Sequence, residues 1–243
     1  EIIYSRVLRF RGIGESALAE KVKDLFDLKN PTVAPYAGKG EVRLRVSCKA
    51  SSELMAQQLM SPIVAKIQAI AGLDYFGQDD ETLASVVGDL LRQRGQTLAV
   101  AESCTGGGLG ALVTAQPGSS DYFYGGVIAY ENRIKETLLK VDSQLLEAEG
   151  AVSGAVASAM ALGVKTQLGT DWGVSVTGIA GPGGGTPAKP IGTVYIGIAD
   201  PQHHVSHHLC QFGDRRGREL TRYLSACQAL DLLRRQLLTS RPD

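Results

Sequence analysis

The reading of this chain turns on Thr97-Leu98-Ala99-Val100-Ala101-Glu102-Ser103-Cys104-Thr105-Gly106-Gly107. Thr97 to Glu102 is a short apolar run of the kind that forms a buried strand. It breaks into a glycine-rich turn, after which Leu109, Leu112 and Val113 predict a helix. Strand, turn and helix in that order open an α/β layer. Downstream, Tyr122 to Tyr130 reads as a strand, Asn132 to Lys140 as a short helix, and Val152 to Leu168 as an alanine-rich helix with small faces suited to close packing. Trp172 to Thr177 is a further buried strand, entering Gly178-Ile179-Ala180-Gly181-Pro182-Gly183-Gly184-Gly185. Thr193 to Ala199 and His204 to Phe212 read as paired strands, and a long helix runs from Arg215 to Leu238. The expectation for residues 77–243 is an α/β domain with a mixed sheet flanked by helices.

Upstream the pattern changes. Tyr4 to Phe10 alternates as a strand, and Leu18, Val22, Leu25 and Phe26 share one helical face. Pro31 and Pro35 bracket an extended piece, Glu41 to Cys48 alternates cleanly, and a second helix is predicted from Ser52 to Ala71. The order β-α-β-β-α makes a small α+β domain over residues 1–76. Asp79-Asp80-Glu81 reads as an acidic cap before the helical run Leu83, Val86, Val87, Leu90 and Leu91, placing the domain boundary near Gly77. The chain opens at Glu1-Ile2-Ile3-Tyr4, already inside a strand pattern, and reads as a piece of a longer protein.

The composition excludes several classes. The 243 residues are 44% hydrophobic and carry 25 basic and 25 acidic side chains, which supplies a core and argues against disorder. Zero net charge removes the footprint of a whole-chain nucleic-acid binder. Cys48, Cys104, Cys210 and Cys227 form no CxxC pair, so neither a zinc ribbon nor a disulfide framework is indicated and a reducing compartment fits. No apolar run reaches the length of a membrane span. A soluble, cytoplasmic protein is expected.

Three places hold candidate chemistry. Ser103 lies at a strand end before a helix, where free backbone N–H groups converge to stabilise an oxyanion or a phosphate beside a nucleophilic hydroxyl. A serine there is also an ordinary helix cap. Lys135, in the first turn of a helix capped by Asn132, has its ammonium disfavoured and is a candidate general base; the plain alternative is a solvated lysine. The loop from Thr177 to Gly185 follows a buried strand as phosphate cradles do, yet lacks a Walker lysine and a GxGxxG helix start. All four histidines fall within His203-His204-Val205-Ser206-His207-His208, so no Ser-His-Asp triad and no metal site is expected. Gly12-Ile13-Gly14-Glu15 and Gly38-Lys39-Gly40-Glu41 both miss the GxxG spacing of an RNA-binding KH loop, which makes a packing or spacer role the better reading of the first domain.

Taken in order, Ala101-Glu102-Ser103-Cys104-Thr105-Gly106-Gly107, Gly125-Gly126-Val127-Ile128-Ala129-Tyr130 with Asn132 and Lys135, Gly150-Ala151-Val152-Ser153, Thr177-Gly178-Ile179-Ala180-Gly181-Pro182, Lys189-Pro190-Ile191-Gly192-Thr193-Val194 and Gly213-Asp214-Arg215 resemble the C-terminal domain of the CinA (competence/damage-inducible protein) family. Residues 1–76 are similar to the family's KH-like linker domain. The resemblance implies a nicotinamide-nucleotide amidase, which converts NMN and water into nicotinate mononucleotide and ammonia in pyridine nucleotide salvage. It implies a Ser103/Lys135 mechanism, an oxyanion and phosphate backbone at Cys104, Thr105, Gly106 and Gly107, and substrate binding by Tyr130, Asn132, Thr177, Gly178, Gly181, Gly183 and Arg215. It implies no metal, no organic cofactor and a homodimer. Glu131 departs from the family pattern, which has serine there. No stretch of these 243 residues resembles the family's N-terminal molybdopterin-binding-like domain, credited with ADP-ribose pyrophosphatase activity, so that activity is not expected of them. The alternative is a catalytically silent pyridine-nucleotide-binding or regulatory module.

Overall fold

The computed structural model describes residues 2–38 and 40–240; Glu1 and Lys39, both quoted above, lie outside them. The chain divides into two units, 1–86 and 87–243. In the first, β1 (Ile2–Phe10), α1 (Glu15–Val22), β2 (Thr32–Gly38), β3 (Glu41–Ala50), α2 (Glu53–Ala71) and β4 (Tyr75–Gln78) form an antiparallel sheet in the order β2-β3-β1-β4. Leu8 pairs with Leu44 and Phe10 with Val42, and these side chains share a core with Leu18, Val22, Ala56, Met60 and Ile67 from the helices. The expected β-α-β-β-α order is thus extended by β4, which is too short for alternation to reveal. The acidic cap is corrected as well. Asp79 accepts the Val7 amide at 2.9 Å and Glu81 accepts the Gln78 amide at 2.8 Å. Thr82 and Ser85 exchange side-chain-to-amide bonds instead, and α3 (Leu83–Arg94) follows.

The second unit holds β5 (Leu98–Glu102), α4 (Gly108–Thr114), β6 (Phe123–Ile128), α5 (Asn132–Leu139), α6 (Ser143–Glu149), α7 (Gly154–Leu168), β7 (Trp172–Gly178), β8 (Thr193–Ala199), β9 (Val205–Gln211) and α8 (Arg218–Thr239). The mixed sheet runs β6-β5-β7-β8-β9, with β6, β5 and β7 parallel and the last two junctions antiparallel. Helix α7 packs on one face, with α5 and α6 against it, while α4 and α8 pack on the other. The small residues of α7 do what their size allows: Ala157 and Ala161 seat their carbonyls on Gly197 and Gly173, where any Cβ would collide. Helix α8 starts at Arg218, after Gly217, rather than at Arg215, and β6 and α7 are shorter than the expected Tyr122–Tyr130 and Val152–Leu168. Helix α6 is an element the apolar pattern does not reveal; Asp142 caps it by accepting the Gln144 amide at 2.8 Å.

This topology places a crevice. The β5–β6 crossover runs through α4 on one face, and the β6–β7 crossover runs through α5, α6 and α7 on the other. Neighbouring strands whose connections leave to opposite faces open a gap at their carboxyl ends, where α/β proteins bind ligands. The residues that emerge there are Ser103 after β5, Ala129 and Tyr130 after β6, and the glycine-rich loop after β7.

Candidate active site

Register locks the three strand ends together. Glu102 lies beside Ile128 and Val176, the Ser103 amide donates to Val176 O at 2.9 Å, and the Ala129 amide donates to Glu102 O at 2.8 Å. Ser103 itself is buried. It does not open a helix directly: Ser103 to Gly107 form a turn and α4 begins at Gly108. The helix start is held instead by Glu102, whose buried carboxyl group accepts the Leu109 amide at 2.8 Å and the Gly110 amide at 3.0 Å. Ser103 is therefore relieved of capping, and its hydroxyl faces a lysine.

That lysine is Lys135. It is 1% exposed, and its Nζ lies 3.5 Å from Ser103 Oγ, 2.8 Å from Ala129 O and 3.2 Å from Tyr130 O. Long side chains on a helix lean toward its N-terminus, which carries this one back from α5 to the end of β6. The N-cap is Glu131 rather than Asn132, its carboxylate accepting the Arg133 amide at 2.9 Å. The departure at residue 131 thus still supplies a capping oxygen. Burial pushes the Lys135 amine below its ordinary value of 10.5, partly opposed by the Glu131 carboxylate. The three partners match the three N–H donors of an ammonium, and in the neutral form two N–H groups serve the carbonyls and one lone pair is left for the serine proton.

The turn after Ser103 supplies donors. Gly106 N–H closes onto Ser103 O at 3.0 Å, the Thr105 amide has no acceptor among the described residues, and the Cys104 amide has none beyond its own thiol. Cys104 is not a rival nucleophile, because burial raises its thiol to about 11. Gly106 and Gly107 take positive φ angles of 58° and 101°, which lets the turn pass close to Arg222 and Ile128.

The other sequence candidates divide. Tyr130 is exposed at the mouth, its hydroxyl accepting from Arg218 Nη2 at 3.2 Å. Asn132 is exposed at the start of α5. Thr177 is buried and donates to Ala151 O at 2.8 Å, so its hydroxyl tethers the loop before α7. Gly178 and Gly181 press against Val194 and Ile191, whereas Gly183 is open to solvent. Arg215 is exposed in the turn before α8 and makes no hydrogen bond or ion pair with the described residues. Sequence reasoning missed the arginines that do reach the site: Arg218 donates to Gly181 O at 2.7 Å, and Arg222 donates to Cys104 O and Thr105 O, each at 3.0 Å. Their four-residue spacing on one helical face was the available signal. The histidines stay apart, with His207 at the Ser158 hydroxyl and His204 at Asp200. Among the described residues no group of three or more His, Cys, Asp or Glu gathers as a metal site would require.

Fold and site together define an α/β protein that presents a serine, a buried lysine and unpaired amides at the carboxyl ends of parallel strands. Comparison with known proteins supplies its family. Residues 80–237 match the CinA C-terminal domain and residues 5–77 the damage-inducible protein CinA KH domain. The chain belongs to the CinA family. It is 73% identical over 238 residues to a CinA-like protein of Synechocystis sp. and 65% identical over 238 residues to one from Rippkaea orientalis. Each alignment takes in 98% of this chain but 57% of the relative, so the chain spans little more than half their length. Among solved structures, the competence/damage inducible protein CihA from Agrobacterium tumefaciens is 36% identical with a TM-score of 0.61, covering 62% of this chain and 91% of that one. A CinA superfamily protein from Klebsiella pneumoniae is 30% identical with a TM-score of 0.62, covering 65% and 97%. Among the described residues no helix is long and apolar enough to cross a membrane.

Proposed function

We propose that this chain is a nicotinamide-nucleotide amidase that hydrolyses NMN to nicotinate mononucleotide and ammonia in pyridine nucleotide salvage. The observation that carries the reading is the buried Lys135 amine 3.5 Å from the Ser103 hydroxyl. In the first step Ser103 Oγ bonds to the carboxamide carbon, its proton passes to neutral Lys135, and the carbonyl π electrons move to oxygen. The Cys104 and Thr105 amides receive that oxyanion, each donor worth about 3 kcal/mol. The tetrahedral species collapses by breaking the C–N bond, and Lys135 returns its proton to the departing nitrogen as ammonia leaves. Water then attacks the ester carbon and gives one proton to Lys135; the second tetrahedral species breaks its C–Oγ bond, Lys135 returns that proton to Ser103 Oγ, and the acid is released with the lysine neutral again.

The rest of the nucleotide lies toward the mouth. Gly181, Gly183 and the exposed Tyr130 border it, and Arg218 offers positive charge there for a phosphate. Binding energy from that remote phosphate holds the amide for attack. A reducing, cytoplasmic setting belongs to the same reading, supported by four cysteines, Cys48, Cys104, Cys210 and Cys227, none of which forms a disulfide among the described residues. The test is partitioning with hydroxylamine. An ester on Ser103 yields the hydroxamate of the nucleotide in proportion to added hydroxylamine, at unchanged ammonia release when acylation is rate-limiting. Ammonia release from NMN with no hydroxamate at any concentration speaks for direct attack by water and against the ester.

A further inference from the structure

We propose that Arg222 is the positioning residue of the oxyanion site, holding and polarising the peptide that presents the Thr105 amide. The inference rests on the serine–lysine reading above. A trans peptide points its C=O and N–H in opposite directions, so whatever grips the carbonyl aims the amide. Two such peptides matter here. The Ser103–Cys104 unit has its carbonyl held inside the turn by Gly106 N–H at 3.0 Å, which leaves Cys104 N–H facing outward. The Cys104–Thr105 unit has no such internal partner. Its carbonyl is held by Arg222 Nε at 3.0 Å, so Thr105 N–H points away from α8 with no acceptor among the described residues.

The grip is two-pronged. Arg222 Nη2 takes the next carbonyl, Thr105 O, at 3.0 Å, which belongs to the peptide whose N–H closes the turn onto Ser103 O. A planar guanidinium that seats two donors on successive carbonyls fixes the orientation of both peptide planes. Arg222 is half-buried and forms no ion pair among the described residues, so its charge is directed at these peptides. Hydrogen bonding to a cation draws electron density toward the carbonyl oxygen and makes the attached N–H a stronger donor. Gly106 admits the guanidinium, since even a Cβ there would lie 3.3 Å from Arg222 Nη2. The residue thus acts through the Thr105 amide, 117 positions away in sequence, without touching the reacting atoms.

The experiment compares wild type, Arg222→Gln and Arg222→Lys in NMN hydrolysis and in labelling by a fluorophosphonate. In the labelling reaction Ser103 Oγ bonds to phosphorus, fluoride leaves, and the hydroxyl proton passes to Lys135, so the oxyanion site is read without any nucleotide. The expected result for Arg222→Gln is a loss of about 10- to 100-fold in kcat and in labelling rate. KM and the pH midpoint stay at wild-type values, because the phosphate end and Lys135 are untouched. Arg222→Lys, with charge but no fork, falls between the two and serves as the readout if the glutamine variant does not fold. Equal labelling rates in wild type and folded variants overturn the proposal, as does a loss confined to KM. Wild type that is labelled at Ser103 yet releases no ammonia from NMN contradicts the substrate reading alone, and the labelling ratio still decides the role of Arg222. Wild type that is never labelled at Ser103 overturns both.

Discussion

Replacing Lys135 with methionine separates what the site needs from what the fold prefers. The amine is buried, and burial holds it below the 10.5 of an ordinary lysine, the value it regains in the unfolded chain. Between those two values the unfolded chain binds a proton that the native state does not. Native stability therefore falls as pH falls, by about 1.4 kcal/mol per pH unit, and levels off below the folded-state value. Methionine has similar length and no proton to bind. It forfeits the bonds to Ala129 O at 2.8 Å and Tyr130 O at 3.2 Å, and an unpaired buried carbonyl costs about 1–3 kcal/mol. Above 10.5 the wild type is accordingly the more stable protein. Its advantage then shrinks by about 1.4 kcal/mol for each pH unit of the window. Urea unfolding of both proteins from neutral pH to above 10.5 measures this. Parallel curves, or a wild-type advantage that grows as pH falls, would refute the reasoning, since they indicate an amine that keeps its ordinary value or is held as an ammonium. The same ionisation makes kcat of the wild type rise with pH.

Glu102→Ala strips the acceptor from the Leu109 and Gly110 amides and should cost about 1–3 kcal/mol in urea unfolding, with kcat falling as the nucleophile turn loosens. Cys104→Ala should retain kcat within about a factor of two, and iodoacetamide near neutral pH should leave the wild type active, because the thiol is buried and raised to about 11. Arg215→Ala should leave kcat/KM for NMN nearly unchanged, whereas Arg218→Ala should raise KM about 10-fold through loss of a charge at the mouth.

Much of this architecture was legible because burial writes itself into short apolar runs. Leu98 to Ala101 and Trp172 to Val176 are covered on both faces, in the parallel part of the mixed sheet, and such strands read as continuous hydrophobic stretches. The same local logic singled out Ser103 and Lys135, one at a strand end and the other near a helix start. What escaped was set by contacts between distant segments. Nothing local distinguishes Arg215 from Arg218 or Arg222; the choice depends on where Gly217 lets α8 begin and which of its faces meets the turn after β5. Glu102 likewise reads as the end of a strand, and its capping role appears once α4 folds back over it. At Thr82 and Glu131 the competition among neighbouring cap formers was decided by backbone geometry that composition does not encode.

The most direct test of the account is ammonia release from NMN by wild type, Ser103→Ala and Lys135→Met, measured side by side with folding checked for each. The account predicts turnover by the wild type and a loss of at least about 1,000-fold in both variants, since nucleophile and base act as one unit. Comparable rates in all three would contradict it.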